Sequence, residues 1–242
     1  EIAKGEISVI YGTVFHLEQL LKALPPTTVS AYSQLQALMV GGSTVSTKLR
    51  DNIREKLTAK LYVLYGSNES NTSCITQLNE VFTTPNTVGR PLPGYQVEIV
   101  DDRGNPCLHG SAGLVRFKTP GMIQGYLGDP VATERYFKDG WFYPGDVAKM
   151  TEDGQLVHLG RADNLMIMNG INIYPAEIEQ TLLNHPDIAD ALAVPRRHPI
   201  HQDIPVCLVT PEPGRTIGEP ALLAYARARL GSSSPHRIFI VD

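Results

Sequence analysis

Two acidic residues follow strand-like segments at points where hydrophobic packing does not require them. Glu69 ends the segment Tyr65-Gly66-Ser67-Asn68-Glu69, which comes after an apolar run, and Asp146 closes a Pro-Gly-Asp corner. An ionised carboxylate offers two acceptor oxygens, so each residue could bind a polar ligand. Taken alone, Glu69 is also explained as a solvated loop residue, and Asp146 as a turn residue that caps its own backbone.

A separate group of polar residues that could bind a ligand consists of His198, His201 and Asp203. The two histidines lie on a Pro-containing segment, without cysteine partners and without the i, i+4 spacing of a helical metal site. We therefore expect no metal at this cluster.

Two hairpins and a helix start must position the polar residues around Asp146. VAKM and QLVHLG are joined at Thr151–Gly154, whose Asp-Gly pair predicts a tight turn. LMIM and INIY are joined at Asn169-Gly170, where Asn and Gly tolerate a positive φ. The polar segment Gly160–Asn164 separates the hairpins, and a helix is predicted to begin at Pro175.

The upstream part of the chain alternates strand-like and helical patterns. Leucines recur at helical spacing between Phe15 and Leu24, and Pro25-Pro26 is predicted to end that helix. Ser46 is a suitable N-cap for a second helix. Strand–helix–strand alternation predicts a parallel sheet, whose ligands gather at the carboxyl ends of its strands.

These patterns predict a fold of three parts. Residues 1–80 are expected to form a partial parallel α/β subdomain. Residues 81–160 contain strand-like runs and turns without a long helix, which favours a small antiparallel β-barrel-like subdomain or a sandwich. Residues 161–242 read as hairpin, helix (175–184), two strands (188–194 and 204–209), helix (219–230) and strand (237–241). This last part is predicted to be a compact α+β domain.

Three ordered motifs carry a resemblance to a known family. They are Tyr143-Pro144-Gly145-Asp146, Gly160-Arg161-Ala162-Asp163 and Asn172-Ile173-Tyr174-Pro175-Ala176-Glu177-Ile178-Glu179. The sequence resembles the adenylate-forming enzymes, which include acyl-CoA synthetases, adenylation domains of peptide synthetases and beetle luciferases. Three matches in the family's order are a far stronger signal than one short motif. The resemblance implies that residues 1–160 are the latter part of a large adenylate-binding domain and residues 161–242 a small mobile domain.

The resemblance assigns roles to the segment from Tyr65 to Glu69. Tyr65 and Gly66 would contact adenine, and Glu69 would help to hold Mg²⁺, a cation that prefers oxygen ligands. Asn68 stands where the family usually has Thr beside the α-phosphate. Its amide can still donate to a phosphate oxygen.

The other motifs imply contacts to the sugar and a hinge. Asp146 would accept both hydroxyls of the AMP ribose, since a carboxylate has two acceptor oxygens and a cis-diol two donors. Arg161 would also reach the ribose. Asp163 would be the hinge about which the small domain swings, because the polar segment around it suits a change of φ and ψ.

Two glycines have roles that a plain turn explains nearly as well. Gly42 lies in a Gly-Gly-Ser loop (41–43) that would border the acyl pocket together with residues 11–15. Gly170 would lie near the tunnel used by the thiol acceptor.

Composition limits the function classes. The 242 residues are 42% hydrophobic and 19% charged, an ordinary globular composition. The net charge of −4 gives no electrostatic case for nucleic acid or for an anionic membrane. No apolar run is long enough to span a bilayer. The three cysteines form no CxxC pair and suit a reducing compartment, so a cytoplasmic protein is expected.

The resemblance implies an AMP-forming ligase that uses ATP and Mg²⁺ to activate a carboxylic acid and passes the acyl group to CoA. A peptide-synthetase adenylation domain or carrier-protein ligase, with a pantetheine acceptor, is the nearest alternative. A non-catalytic nucleotide-binding or interaction module is an alternative of another class. The sequence does not reveal the acid or the oligomeric state.

We expect this chain alone not to adenylate. The family's phosphate-binding loop and the lysine of its terminal Gly-Lys motif lie outside residues 1–242. Each of these elements stabilises developing charge, and the loss of one such element typically lowers kcat by a factor of about 10²–10³. ATP–pyrophosphate exchange measured with this chain and a panel of acids should stay at background, and exchange above background would contradict the expectation.

Overall fold

The structure is a computed structural model that describes residues 2, 5–25 and 32–241. By its internal contacts the chain forms two compact units, Glu1–His158 and Leu159–Asp242. Pro26, expected to help end the first helix, lies outside the described residues, whereas Pro25 lies just beyond that helix. No helix of the described part is both long and apolar enough to cross a membrane.

The first unit begins with the predicted alternation of strands and helices. Its elements are β1 (Val9–Gly12), α1 (Val14–Ala23), β2 (Ala37–Gly41), α2 (Thr47–Lys56) and β3 (Leu61–Ser67). β1, β2 and β3 pair in parallel, as predicted. Ser46 caps α2, since its Oγ accepts a hydrogen bond from the backbone N–H of Leu49 at 3.2 Å. The side chains of Leu38, Ile53 and Leu61 are fully buried in the core beneath these elements.

The rest of the first unit is mainly antiparallel. Its elements are β4 (Asn71–Ile75), α3 (Glu80–Thr83), β5 (Thr87–Pro91), β6 (Gln96–Val100), β7 (Ala112–Lys118), α4 (Pro130–Tyr136), β8 (Phe137–Lys138), β9 (Trp141–Phe142), β10 (Asp146–Met150) and the start of β11 (Leu156–Arg161). The end of β11, from Leu159 onward, belongs to the second unit. The strands continue the same sheet in the order β1-β2-β3-β4-β5-β11-β10-β7-β9-β8, and β6 pairs with β7. The mixed α/β and antiparallel character agrees with the prediction. The barrel-like detail does not, because no described pairing closes this sheet into a barrel.

The second unit has its own sheet and core. After β11 come β12 (Met166–Met168), β13 (Ile171–Ile173), α5 (Pro175–Leu183), β14 (Ile188–His198), β15 (Gln202–Pro211), α6 (Glu219–Leu230) and β16 (Arg237–Ile240). The sheet order is β13-β12-β15-β14, with β16 parallel to β15. Ile178, Leu182 and Leu222 bury their side chains against the sheet. Each predicted element of residues 161–242 is present.

Gly89 permits a close backbone approach in the first unit's sheet. Its φ is +88°, and a Cβ at this position would lie 2.0 Å from the carbonyl carbon of Ile75 on β4. Only glycine fits both the backbone angle and the space. Gly104 has a similar φ of +82°, but a Cβ there would meet no atom within 4 Å.

We expect Gly89→Ala to lower the free energy of unfolding by about 2–4 kcal/mol, because steric overlap adds to the cost of a positive φ. Gly104→Ala carries the backbone cost alone, about 1–2 kcal/mol. Urea unfolding of the chain and both variants measures the difference. Equal losses would show that β4 and β5 do not approach as closely as described.

Candidate nucleotide site

Tyr65 and Asp146 are brought together although they lie far apart in the sequence. Tyr65 lies on β3, and Asp146 is the first residue of β10. The Tyr65 hydroxyl donates a hydrogen bond of 2.5 Å to Oδ2 of Asp146, which is only 7% exposed. A buried carboxylate needs such donors, because its desolvation is otherwise costly. Asp146 is therefore an acceptor in the fold and not only a turn residue.

His158 completes the surroundings of this carboxylate. Its Nε2 lies 3.7 Å from Oδ1 of Asp146, and its ring centroid lies 5.6 Å from that of Tyr65. Phe117 packs on Tyr65, also at 5.6 Å between ring centroids. The sequence reasoning missed His158. Its one signal was a polar residue between the apolar residues Val157 and Leu159 of a predicted strand.

Gly66 has a structural reason to be glycine. A Cβ there would lie 1.9 Å from the carbonyl oxygen of Asn71 on β4. The β3–β4 pairing also shifts register between Tyr65 and Gly66. This close packing fixes the backbone before the turn that carries Asn68 and Glu69. Gly66 and Asn68 are both exposed, so neither is enclosed by the rest of the first unit.

Glu69 is held by a tyrosine that the sequence reasoning did not single out. The hydroxyl of Tyr126 donates a hydrogen bond of 2.7 Å to Oε1 of Glu69. Burial acts to raise the pKa of Glu69, but hydrogen bonds from Tyr126, Ser67 and its own backbone outweigh it and lower the pKa. Burial and the bond to Glu69 raise the pKa of Tyr126 to about 12. At neutral pH the pair is thus a carboxylate and a neutral phenol.

Gly42 follows β2 at the carboxyl end of the parallel strands. Its φ is +88°, it is exposed, and a Cβ there would meet no atom within 4 Å. The backbone angle explains a glycine at this position. No described contact joins Gly42 to Asp146 or Glu69.

The remaining candidates belong to the second unit. The guanidinium of Arg161 lies 3.8 Å from Oδ2 of Asp163, and both side chains are substantially exposed. Asp163 lies in a short 3₁₀ turn, Ala162–Asn164. Gly170 has φ +77° and Asn169 φ +53°, which confirms the predicted Asn-Gly hairpin turn.

Models of two protein-family domains match the chain. The AMP-binding enzyme model matches residues 1–127, and the model of the AMP-binding enzyme C-terminal domain matches residues 177–242. The first match alone covers more than half of the 242 residues.

The chain belongs to the AMP-binding enzyme family. It is 30% identical over 243 residues to the 2-succinylbenzoate–CoA ligase of Geobacillus kaustophilus, covering 100% of this chain and 49% of that protein. It is 31% identical to 4-coumarate–CoA ligase 2 of Nicotiana tabacum, covering 87% of this chain and 40% of that protein. The chain thus spans about half the length of the curated relatives it matches.

Solved structures of this family share the fold. The amide bond synthetase McbA of Marinactinospora thermotolerans superposes with a TM-score of 0.91 at 28% identity, covering 99% of this chain and 50% of that one. O-succinylbenzoate coenzyme A synthetase of Bacillus subtilis, in complex with ATP and magnesium ion, gives a TM-score of 0.85 at 25% identity. That match covers 100% of this chain and 49% of that one.

The donor chemistry at Glu69 fits a magnesium ion only in part. An ionised carboxylate is a suitable ligand, and Mg²⁺ commonly takes one or two carboxylates together with substrate phosphates and water. The described residues contain no group of three or more His, Cys, Asp or Glu side chains that could hold a metal ion. Glu69 could therefore contribute to a magnesium site completed by ligand oxygens.

Tyr126→Phe should raise the pKa of Glu69, because it removes a hydrogen bond to the charged form. A depressed carboxylate pKa contributes stability above the unfolded pKa, and this contribution is lost as the pH falls through the folded pKa. At pH 7 the variant should therefore have a lower free energy of unfolding than wild type. In acid, where this contribution is lost from both proteins, the two free energies of unfolding should converge. Carboxyl NMR titration and urea unfolding across pH measure both effects.

Tyr136→Phe is the matched control, because the Tyr136 ring packs edge-on against Tyr126 at 6.2 Å between centroids. It should leave the titration of Glu69 unchanged. The same pKa of Glu69 in Tyr126→Phe and in wild type would show that the phenol does not stabilise the carboxylate.

Proposed function

We propose that this chain is part of an AMP-forming ligase that activates a carboxylic acid with ATP and transfers the acyl group to the thiol of CoA. Family membership and relatives that are themselves CoA ligases support the proposal. The observation that carries it is the buried carboxylate of Asp146, held by the hydroxyl of Tyr65 after a Pro-Gly corner. Burying a charge is costly, so a buried carboxylate at this corner favours a role in ligand binding.

The residues of the first unit are assigned to the nucleotide and the acid. Asp146 accepts the two ribose hydroxyls, for which it has acceptor capacity on both oxygens. The ring of Tyr65 and the exposed backbone of Gly66 face adenine, and the exposed amide of Asn68 donates to a phosphate oxygen. Gly42 leaves room beside the acid.

Glu69 would hold magnesium, which when bound offsets negative charge on the phosphate oxygens. Its lowered pKa keeps the carboxylate ionised at neutral pH. The phenol of Tyr126 orients the carboxylate by donating to Oε1. These two properties are what a single protein ligand to a hard cation needs.

The reaction has two steps. A carboxylate oxygen attacks the α-phosphorus of ATP, and pyrophosphate leaves with the electron pair of the broken P–O bond. The thiol sulfur then attacks the acyl carbon, and AMP leaves with the pair of the acyl C–O bond. Arg161 is assigned to the ribose, Asp163 to the hinge between the half-reactions and Gly170 to the border of the thiol's path.

Two acceptors of the acyl group other than CoA are also considered. One structural relative is an amide bond synthetase, which favours an amine acceptor as the second candidate. A pantetheine thiol on a carrier protein offers the same sulfur chemistry as CoA.

The three cysteines of the chain, Cys74, Cys107 and Cys207, are free thiols, which suits a reducing location such as the cytoplasm.

A carboxylic-acid panel with the full-length protein tests the function. AMP release should depend on the acid, and its product should be a thioester when CoA is present. An amide formed with an added amine would favour the second candidate. If no acid supports AMP release or pyrophosphate exchange, the protein is not a ligase and the binding-module alternative is favoured.

Asp146→Asn should weaken AMP binding to the full-length protein about tenfold or more, because hydrogen bonds to a charged acceptor contribute about 1.5–3 kcal/mol. Asn keeps one oxygen for Tyr65 and loses the second acceptor. Calorimetric titration with AMP and 2′-deoxy-AMP measures the effect. Wild type should discriminate between the two ligands, and the variant should discriminate less.

Asp102→Asn makes the same chemical change at an exposed turn of the same unit and should leave both affinities unchanged. Equal AMP affinity of Asp146→Asn and wild type would remove Asp146 from the ribose site.

A further inference from the structure

The β12–β13 hairpin depends on its neighbours for its position. Each strand has three residues, and both turn residues, Asn169 and Gly170, have a positive φ. A two-stranded hairpin is marginally stable at best in isolation. A Cβ on Gly170 would meet no atom within 4 Å, so packing at Gly170 itself does not hold the turn.

Strand β12 is anchored to β15 before the turn. Met168 pairs with Gln202, and the buried carboxylate of Asp203 accepts a hydrogen bond of 3.1 Å from the backbone N–H of Ile167 through Oδ2. Oδ1 of Asp203 lies 2.9 Å from the exposed guanidinium of Arg197, a contact of charges without hydrogen-bond geometry. These contacts fix the strand but end one residue short of the turn.

His201 holds the turn itself. Its Nδ1 lies 2.9 Å from Oδ1 of Asn169, and its carbonyl oxygen accepts from the N–H of Asn169 at 3.4 Å. With Oδ1 facing the ring, Nδ1 carries the proton and donates. One histidine therefore contacts both the side chain and the backbone of the residue before Gly170.

The ring of His201 is itself held in place. It stacks on His198 at 4.7 Å between centroids, and Nδ1 of His198 accepts from the N–H groups of Ile200 and His201 at 3.2 Å each. Gln202 has φ +64°, an uncommon angle for a residue other than glycine. The start of β15, directly after His201, thus adopts a costly backbone conformation beside the residue that contacts Asn169.

We propose that His201 is a positioning residue for thiol transfer: through Asn169 it fixes the Gly170 turn beside the path of the acceptor. This inference rests on the proposed function. In that step the sulfur–carbon bond forms, the acyl C–O bond breaks, AMP leaves with the electron pair, and the thiol proton passes to solvent. His201 contacts none of these atoms and acts through Asn169.

The test separates the two half-reactions of the full-length protein. His201→Leu should lower kcat/KM for CoA about fivefold to tenfold, the effect of one hydrogen bond of about 1 kcal/mol. Pyrophosphate exchange, which reports acid activation, should change by less than about twofold. His201→Asn should restore thiol transfer, because an Asn amide can donate from the position of the imidazole Nδ1.

A second variant and a control complete the test. Asn169→Gly keeps the positive φ but removes the acceptor oxygen, so it should match His201→Leu, and the double variant should add little. His236→Leu removes an exposed histidine of the same unit and should change neither rate. Equal losses in both half-reactions, no loss in either, or no rescue by Asn would overturn the positioning role. Absence of pyrophosphate exchange in wild type would instead refute the proposed function and, with it, this inference.

Discussion

The buried carboxylate of Asp146 sets a strict physical requirement in the first unit. Removing a charge from water is expensive unless donors replace the lost hydration, and the Tyr65 hydroxyl provides one at 2.5 Å. Tyr65 lies on the last parallel strand and Asp146 at the start of an antiparallel strand. One hydrogen bond therefore joins the two parts of the sheet at the position where the nucleotide is proposed to bind.

Glycine makes the close packing around this bond possible. At Gly66 and Gly89 a side chain would overlap backbone atoms of the neighbouring strand β4. The strands on either side of β4 consequently approach it at a distance that other residues would prevent. The loop with Asn68 and Glu69 begins at one of these glycines, so a rigid scaffold supports exposed polar groups, as a binding loop requires.

The second unit is stabilised by a hydrophobic core of its own. It buries its own core, which includes Ile178, Leu182 and Leu222, and so satisfies its hydrophobic residues within residues 159–242. A unit with its own core can keep its internal structure during the domain movement proposed at Asp163. Within it, side chains of the β14–β15 hairpin hold a short hairpin that packing alone would leave loosely placed. Local hydrogen bonds thus define the turn at Gly170.

Hydrophobic periodicity and turn residues determined the order of elements in this chain. Alternating strands and helices predicted the parallel strands, and Asn169-Gly170 predicted a hairpin, because these signals act over a few residues. The motifs around Asp146 and Arg161 indicated the family for the same reason. Tertiary structure decided which distant residues meet: Tyr65 reaches Asp146 across 81 positions, and Tyr126 reaches Glu69 across 57. It also joined the expected barrel strands to the parallel sheet. Such contacts depend on strand order and register, which pair residues by their place in the sheet and leave no local pattern in the sequence.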